Sequence, residues 1–141
     1  MIKLISLIKE SKLMTTQITE GVKVSVEVTY QSEYSNPESQ HFMFAYRITI
    51  ENLSHFTVKL LNRHWDIYDT NGEFKQVDGE GVVGIQPILN PGDKHQYTSG
   101  CNLKSELGYM EGFYEMQYLL NDETFLVDIP RFTLEASYLL N

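Results

Sequence analysis

At 141 residues, with 42% hydrophobic and 12% aromatic content, the chain has the size and composition of one folded domain and not of a disordered segment. A formal charge of −8, from 19 acidic against 11 basic residues, repels phosphate backbones and anionic lipid and argues against nucleic acid as a partner. The single cysteine, Cys101, excludes an internal disulfide and a thiolate zinc site, and points to a reducing cytoplasm.

Along the chain, Met1 to Leu13 is apolar but broken by Lys3, Ser6 and Lys9, too short and interrupted to insert in a membrane; its spacing suits a short amphipathic helix. Met14 offers a second start, so residues 1–17 read as an N-terminal extension and 18–141 as the domain. From Val22 the period is two. Val22, Val24, Val26 and Val28 alternate with Lys23, Ser25, Glu27 and Thr29, and Phe42, Phe44, Tyr46, Ile48 and Ile50 repeat the pattern after a loop over 31–40.

Phe56, Val58 and Leu60 share one phase, and Leu61, Trp65 and Ile67 the other. A slip of one residue reverses the faces of a strand, so a bulge is expected near Leu61 and Asn62. Asp69-Thr70-Asn71-Gly72-Glu73 resembles the start of a calcium loop, but its glycine comes too early; Asn71-Gly72 is a tight-turn signal from which Phe74 to Val77 should pair back. Further strands are expected at Lys94 to Thr98, Gly112 to Leu120, Thr124 to Ile129 and, after Pro130, at Phe132 to Ala136. About eight strands with turns at short intervals and no helix beyond the extension predict an all-β, antiparallel sandwich.

Chemistry is sparse in this pattern. Gly79-Glu80-Gly81-Val82-Val83-Gly84 spells a dinucleotide fingerprint, yet Pro87 and Pro91 follow and no crossover helix fits. Two readings stay open: a glycine bend between the sheets, or a nest of backbone N–H groups at Gly79, Gly81 and Gly84 that binds a small phosphorylated ligand, with Arg63 and Lys94 as counter-charges. His41, His55, His64 and His95 are dispersed and form no metal motif, although ligands converging from distant strands would make a direct divalent-metal binder. Ser99 and Cys101 lie in no nucleophile elbow, so no catalytic residue and no cofactor is assigned and no enzyme is expected. In Arg63-His64-Trp65-Asp66, alternation sends Arg63 and Trp65 to one face and His64 and Asp66 to the other. Trp65 then anchors the core or the strand rims an interaction surface carrying His64 and Asp66.

Taken in order, Phe44 to Asn52, Leu60 to Trp65, Asp69 to Gly72, Gly79 to Pro87, Leu89 to Gly92, Tyr97 to Gly100 and Met110 to Tyr114 closely resemble the ApaG family. The resemblance covers approximately residues 18 to 141. It implies an immunoglobulin- or fibronectin type III-like sandwich, a phosphate or pyrophosphate role for the glycine motif, and a link to cobalt and magnesium homeostasis in bacterial members. Eukaryotic relatives of the F-box and polymerase-interacting kinds imply binding to a protein partner. The expectation is therefore a cytoplasmic, non-enzymatic binding or adaptor module, with weak self-association into a homodimer.

Overall fold

Period-two alternation becomes strand throughout the computed structural model, which describes residues 14–136. Numbered in chain order, the strands are β1 Met14–Thr19, β2 Val22–Tyr30, β3 Phe42–Asn52, β4 Val58–Asp69, β5 Phe74–Glu80, β6 Ile88–Leu89, β7 Lys94–Leu103, β8 Leu107–Tyr118 and β9 Thr124–Glu135. They form two antiparallel sheets, one in the order β1-β2-β3-β7 and the other β5-β4-β8-β9, with β6 also paired to β4. The helix expected over Met1 to Leu13 lies outside the described residues.

The inward faces interlock in one core. Val22, Val24 and Val26 of β2 and Phe44, Ile48 and Ile50 of β3 are fully buried against Leu60 of β4, Tyr114 and Met116 of β8 and Val127 of β9. Burying each such side chain contributes about 1.5–3 kcal/mol, so a one-residue slip of any of these strands would forfeit several at once, which fixes register. Trp65 belongs to this core, edge-on to both Tyr46 and Phe132 at 5.4 and 5.8 Å.

The bulge expected near Leu61 is present: Leu60 pairs with Met116 and Asn62 with Glu115, leaving Leu61 as the extra residue. Several strand expectations need correction, and β8, running from Leu107 to Tyr118, starts ahead of the expected Gly112 and stops short of Leu120. The first strand starts at Met14, ahead of the alternating pattern; β1 is polar and mostly exposed, so no apolar rhythm marks it, and it exists because the Glu20-Gly21 turn, with both residues at positive φ, folds it back on β2. Pro130 does not end a strand. Met110 pairs with Phe132 and Gly112 with Ile129, so Pro130 and Arg131 together oppose Glu111 in a bulge of edge strand β9, where a missing N–H costs no ladder bond. Finally, β7 runs on to Leu103, because it pairs with β3 residue for residue.

Candidate functional site

The glycine loop is built around the Leu61 bulge. Leu61, without a partner on β8, keeps its place opposite β5: its carbonyl accepts the Gly81 N–H at 2.8 Å, one rung beyond the Asn62 and Glu80 pair, and Gln86 Nε2 at 2.9 Å. Val82 is buried, and its N–H and carbonyl pair with Ile85 across a two-residue turn in which Val83 and Gly84 both have positive φ. Gly81, at φ +63°, has the Ile85 carbonyl oxygen where a Cβ would stand, and Gly79 has the Arg63 guanidinium there. Arg63 Nη1 donates to the carbonyls of Glu80 and Gly81 at 3.1 and 2.9 Å.

This geometry corrects the reading of the motif as a bend between the sheets. β5 and β6 pair with the same strand, β4, so the glycines bend the chain within one sheet, and the crossing to the other sheet occurs at Asn90 to Asp93. Of the three glycines, Gly81 already gives its N–H to a protein acceptor, as do the neighbouring Val82 and Ile85. Arg63 faces the loop, and its Nη1 donates to the loop's carbonyls. Lys94 stands on the other sheet at the start of β7, 3.8 Å from Glu51.

His64 and Asp66 lie together on the outer face of the second sheet. His64 Nδ1 is 2.6 Å from Asp78 Oδ1, and Nε2 is 3.0 Å from Asp66 Oδ1, which also accepts from Gln76 Nε2 at 3.0 Å. The ring stacks on Phe113 at 4.8 Å. The hydrogen bond to Asp78 raises the His64 pKa above 6.5, opposed by partial burial and assisted by Asp66; the Gln76 donor and the imidazole lower that of Asp66. Beside them an aromatic row runs from Phe74 through Tyr68 to Tyr109, with the Arg131 guanidinium 4.1 Å from the Tyr109 ring centre and in a two-bond ion pair with Glu111.

Ser99 and Cys101 point inward. Ser99 is a hydrogen-bond partner of Tyr46, and burial pushes the Cys101 thiol up to about 11, so neither side chain carries the features of an activated nucleophile. Between the sheets, the Tyr97 and Tyr114 hydroxyls meet in a short hydrogen bond, each with its pKa raised by burial. Among the described residues no group of three or more His, Cys, Asp or Glu side chains is placed to hold a metal ion, and no helix is long and apolar enough to cross a membrane.

Sequence reasoning passed over one end of the sandwich. There Asn52, fully buried, donates from Nδ2 to the carbonyls of Phe56 and Leu89 at 2.7 and 2.9 Å, and its Oδ1 accepts from the Ser54 N–H and hydroxyl. Its backbone N–H and carbonyl bond Asp93 and Gly92. One residue thus ties three chain segments together. On the platform so formed, Leu53, Phe56 and Leu119 are about half exposed and Leu120 is 80% exposed, around Tyr118, which meets Phe56 edge-on and stacks on Phe125. The Leu119 N–H ties this turn to the Thr57 carbonyl at 3.1 Å. The available signal was an asparagine at the end of the strongest strand followed by isolated apolar residues in turns.

Against known proteins, the ApaG domain model matches residues 32–118. Protein ApaG of Rhizobium leguminosarum bv. trifolii is 45% identical over 127 residues, covering 90% of this chain and 97% of that one. Protein ApaG of Brucella anthropi is 48% identical over 122 residues, with coverage of 86% and 93%. The crystal structure of the ApaA protein from Bordetella pertussis superposes with a TM-score of 0.79 at 39% identity over 82% of this chain and 93% of that one. The C-terminal domain of wzt, at 7% identity and a TM-score of 0.53 over 87% and 77% of the two chains, shares the fold alone.

Proposed function

Since this chain belongs to the ApaG domain family, we propose that it is a non-catalytic binding module of the cytoplasm that receives a protein partner on its Asn52-organised loop end. The observation that carries this reading is the set of exposed apolar side chains Leu53, Phe56, Leu119 and Leu120, gathered on turns whose backbone is already hydrogen-bonded. An apolar patch on a globular domain marks a contact surface, and pre-ordered turns lose little entropy when the contact forms. On this reading, an influence on cobalt or magnesium balance runs through the partner.

The test is photo-cross-linking in the source cells, with a benzophenone side chain at Leu120, at Phe56 and, as a control, at Gln96 on the outer face of the other sheet. The expected result is one common protein captured from positions 120 and 56, absent from position 96, and lost when Leu53→Asp is added. Equal capture from all three positions, or none from 120 and 56, would overturn the reading.

A further inference from the structure

We propose that two copies of this chain associate through the side of the sandwich where β5 and β7 end the sheets, with β7 pairing antiparallel to β7 of the second copy about a twofold axis at Thr98. Among the described residues, both sheets end there in an unpaired strand. Between them lies a cleft of about 250 Å³, walled by Ile67, Lys75 and Val77 from one sheet and Cys101 and Leu103 from the other, with Lys104 beside them. The opposite side is closed: β9 packs against β1 and β2, Thr19 Oγ1 accepts the Asp128 N–H, and Gln17 reaches the Asp128 carboxylate.

The β7 edge lacks the usual protections. Edge strands are normally blunted by proline, a bulge, shortness or inward charge. β7 is ten residues long, pairs with β3 without a register shift, contains no proline, and carries no Lys, Arg, Asp or Glu from His95 to Leu103. Its only charged devices are Lys94 and, just beyond its end, Lys104.

Those two lysines select the register. A twofold axis perpendicular to the sheet keeps both inner faces on the same side, so it must pass through a residue. An axis at Ser99 would set Lys94 opposite Lys104 at both ends of the ladder, like charges that destabilise a cross-strand pair. An axis at Gly100 leaves Lys94, His95 and Gln96 outside strand-to-strand pairing. At Thr98, Lys94 faces Asn102, His95 faces Cys101, Gln96 faces Gly100 and Tyr97 faces Ser99, and no like charges oppose. The same rotation brings the two β5 edges together and covers the cleft, including Val77.

Sedimentation equilibrium on the full chain from about 10 μM to about 1 mM, the range of weak self-association, should show the average mass rising from one chain toward two. Thr98→Lys, at an exposed site, should hold the mass at one chain throughout while leaving the unfolding midpoint unchanged. Thr98→Cys in a Cys101→Ser background should form an intermolecular disulfide under mild oxidation, because Cβ atoms facing across the axis lie within disulfide reach. It should do so much faster than Thr124→Cys in the same background. A chain monomeric at every concentration, a dimer that survives Thr98→Lys, or cross-linking of the Thr124→Cys variant as fast as that of the Thr98→Cys variant would each overturn the proposal.

Discussion

The two long sides of the sandwich use strands of the same alternating kind and end differently. On the closed side, Ile129 of β9 points inward and is 2% exposed, because β1 and β2 stand over it; on the open side, Val77 of β5 also points inward and is 39% exposed, because none of the described residues stands over the cleft. Direction is set by parity along a strand, whereas burial needs a second layer. The same difference explains why one edge is finished by hydrogen bonds to Asp128 and the other presents a bare row of backbone groups.

The largest expected effect tests that contrast directly. Ile129→Ala should cost about 2–5 kcal/mol through lost burial and a residual cavity. Val77→Ala should cost about 1 kcal/mol or less, since much of its surface is already in water. Urea unfolding of the two variants is the check, and equal losses would mean that the open side is covered in the free chain.

Next in size is the glycine loop that continues the open edge. Gly81→Ala combines a left-handed φ with a collision against the Ile85 carbonyl, whereas Gly84→Ala meets the φ cost with no atom within 4 Å. About 2–3 kcal/mol is expected for the first and about 1 kcal/mol for the second. Equal costs, or amide shifts at Gly81 and Val82 in a pyrophosphate titration of the native chain, would return the loop to anion binding.

The smallest effect concerns the outer face. His64 is raised above its ordinary 6.5, so its bonds to Asp78 and Asp66 contribute stability that is complete below about pH 6.5 and is lost as the pH rises through the folded-state value. Imidazole resonances followed by NMR should give His64 a midpoint above 6.5, and His64→Gln should flatten the fall in stability between about pH 6 and about pH 8. A midpoint at or below 6.5 would show that burial outweighs the two carboxylates.

Much of the candidate chemistry was legible in Arg63 to Asp66. Parity put Trp65 and Arg63 on one face and His64 and Asp66 on the other, and the packing of the sheets made the first face the core. What those side chains touch was not legible. The bond from His64 to Asp78 and that from Arg63 to Gly81 span 14 and 18 residues, and depend on the β4 and β5 register, which a turn and a bulge set jointly. Asn52 was missed for the same reason: its acceptors lie on Phe56 and Leu89, and only the second sheet brings Leu89 within reach.

By itself, the sequence determined the class of fold, the bulge at Leu61, the Asn71-Gly72 turn and the inward set of β2 and β3, because each follows from a local rule of alternation or of positive φ. Only the tertiary structure decided which glycines are required by close approach, which inward side chains stay wet, and which strand has no neighbour among the described residues. Those are properties of how two sheets meet, and a period of two records a residue's face without recording what lies across from it.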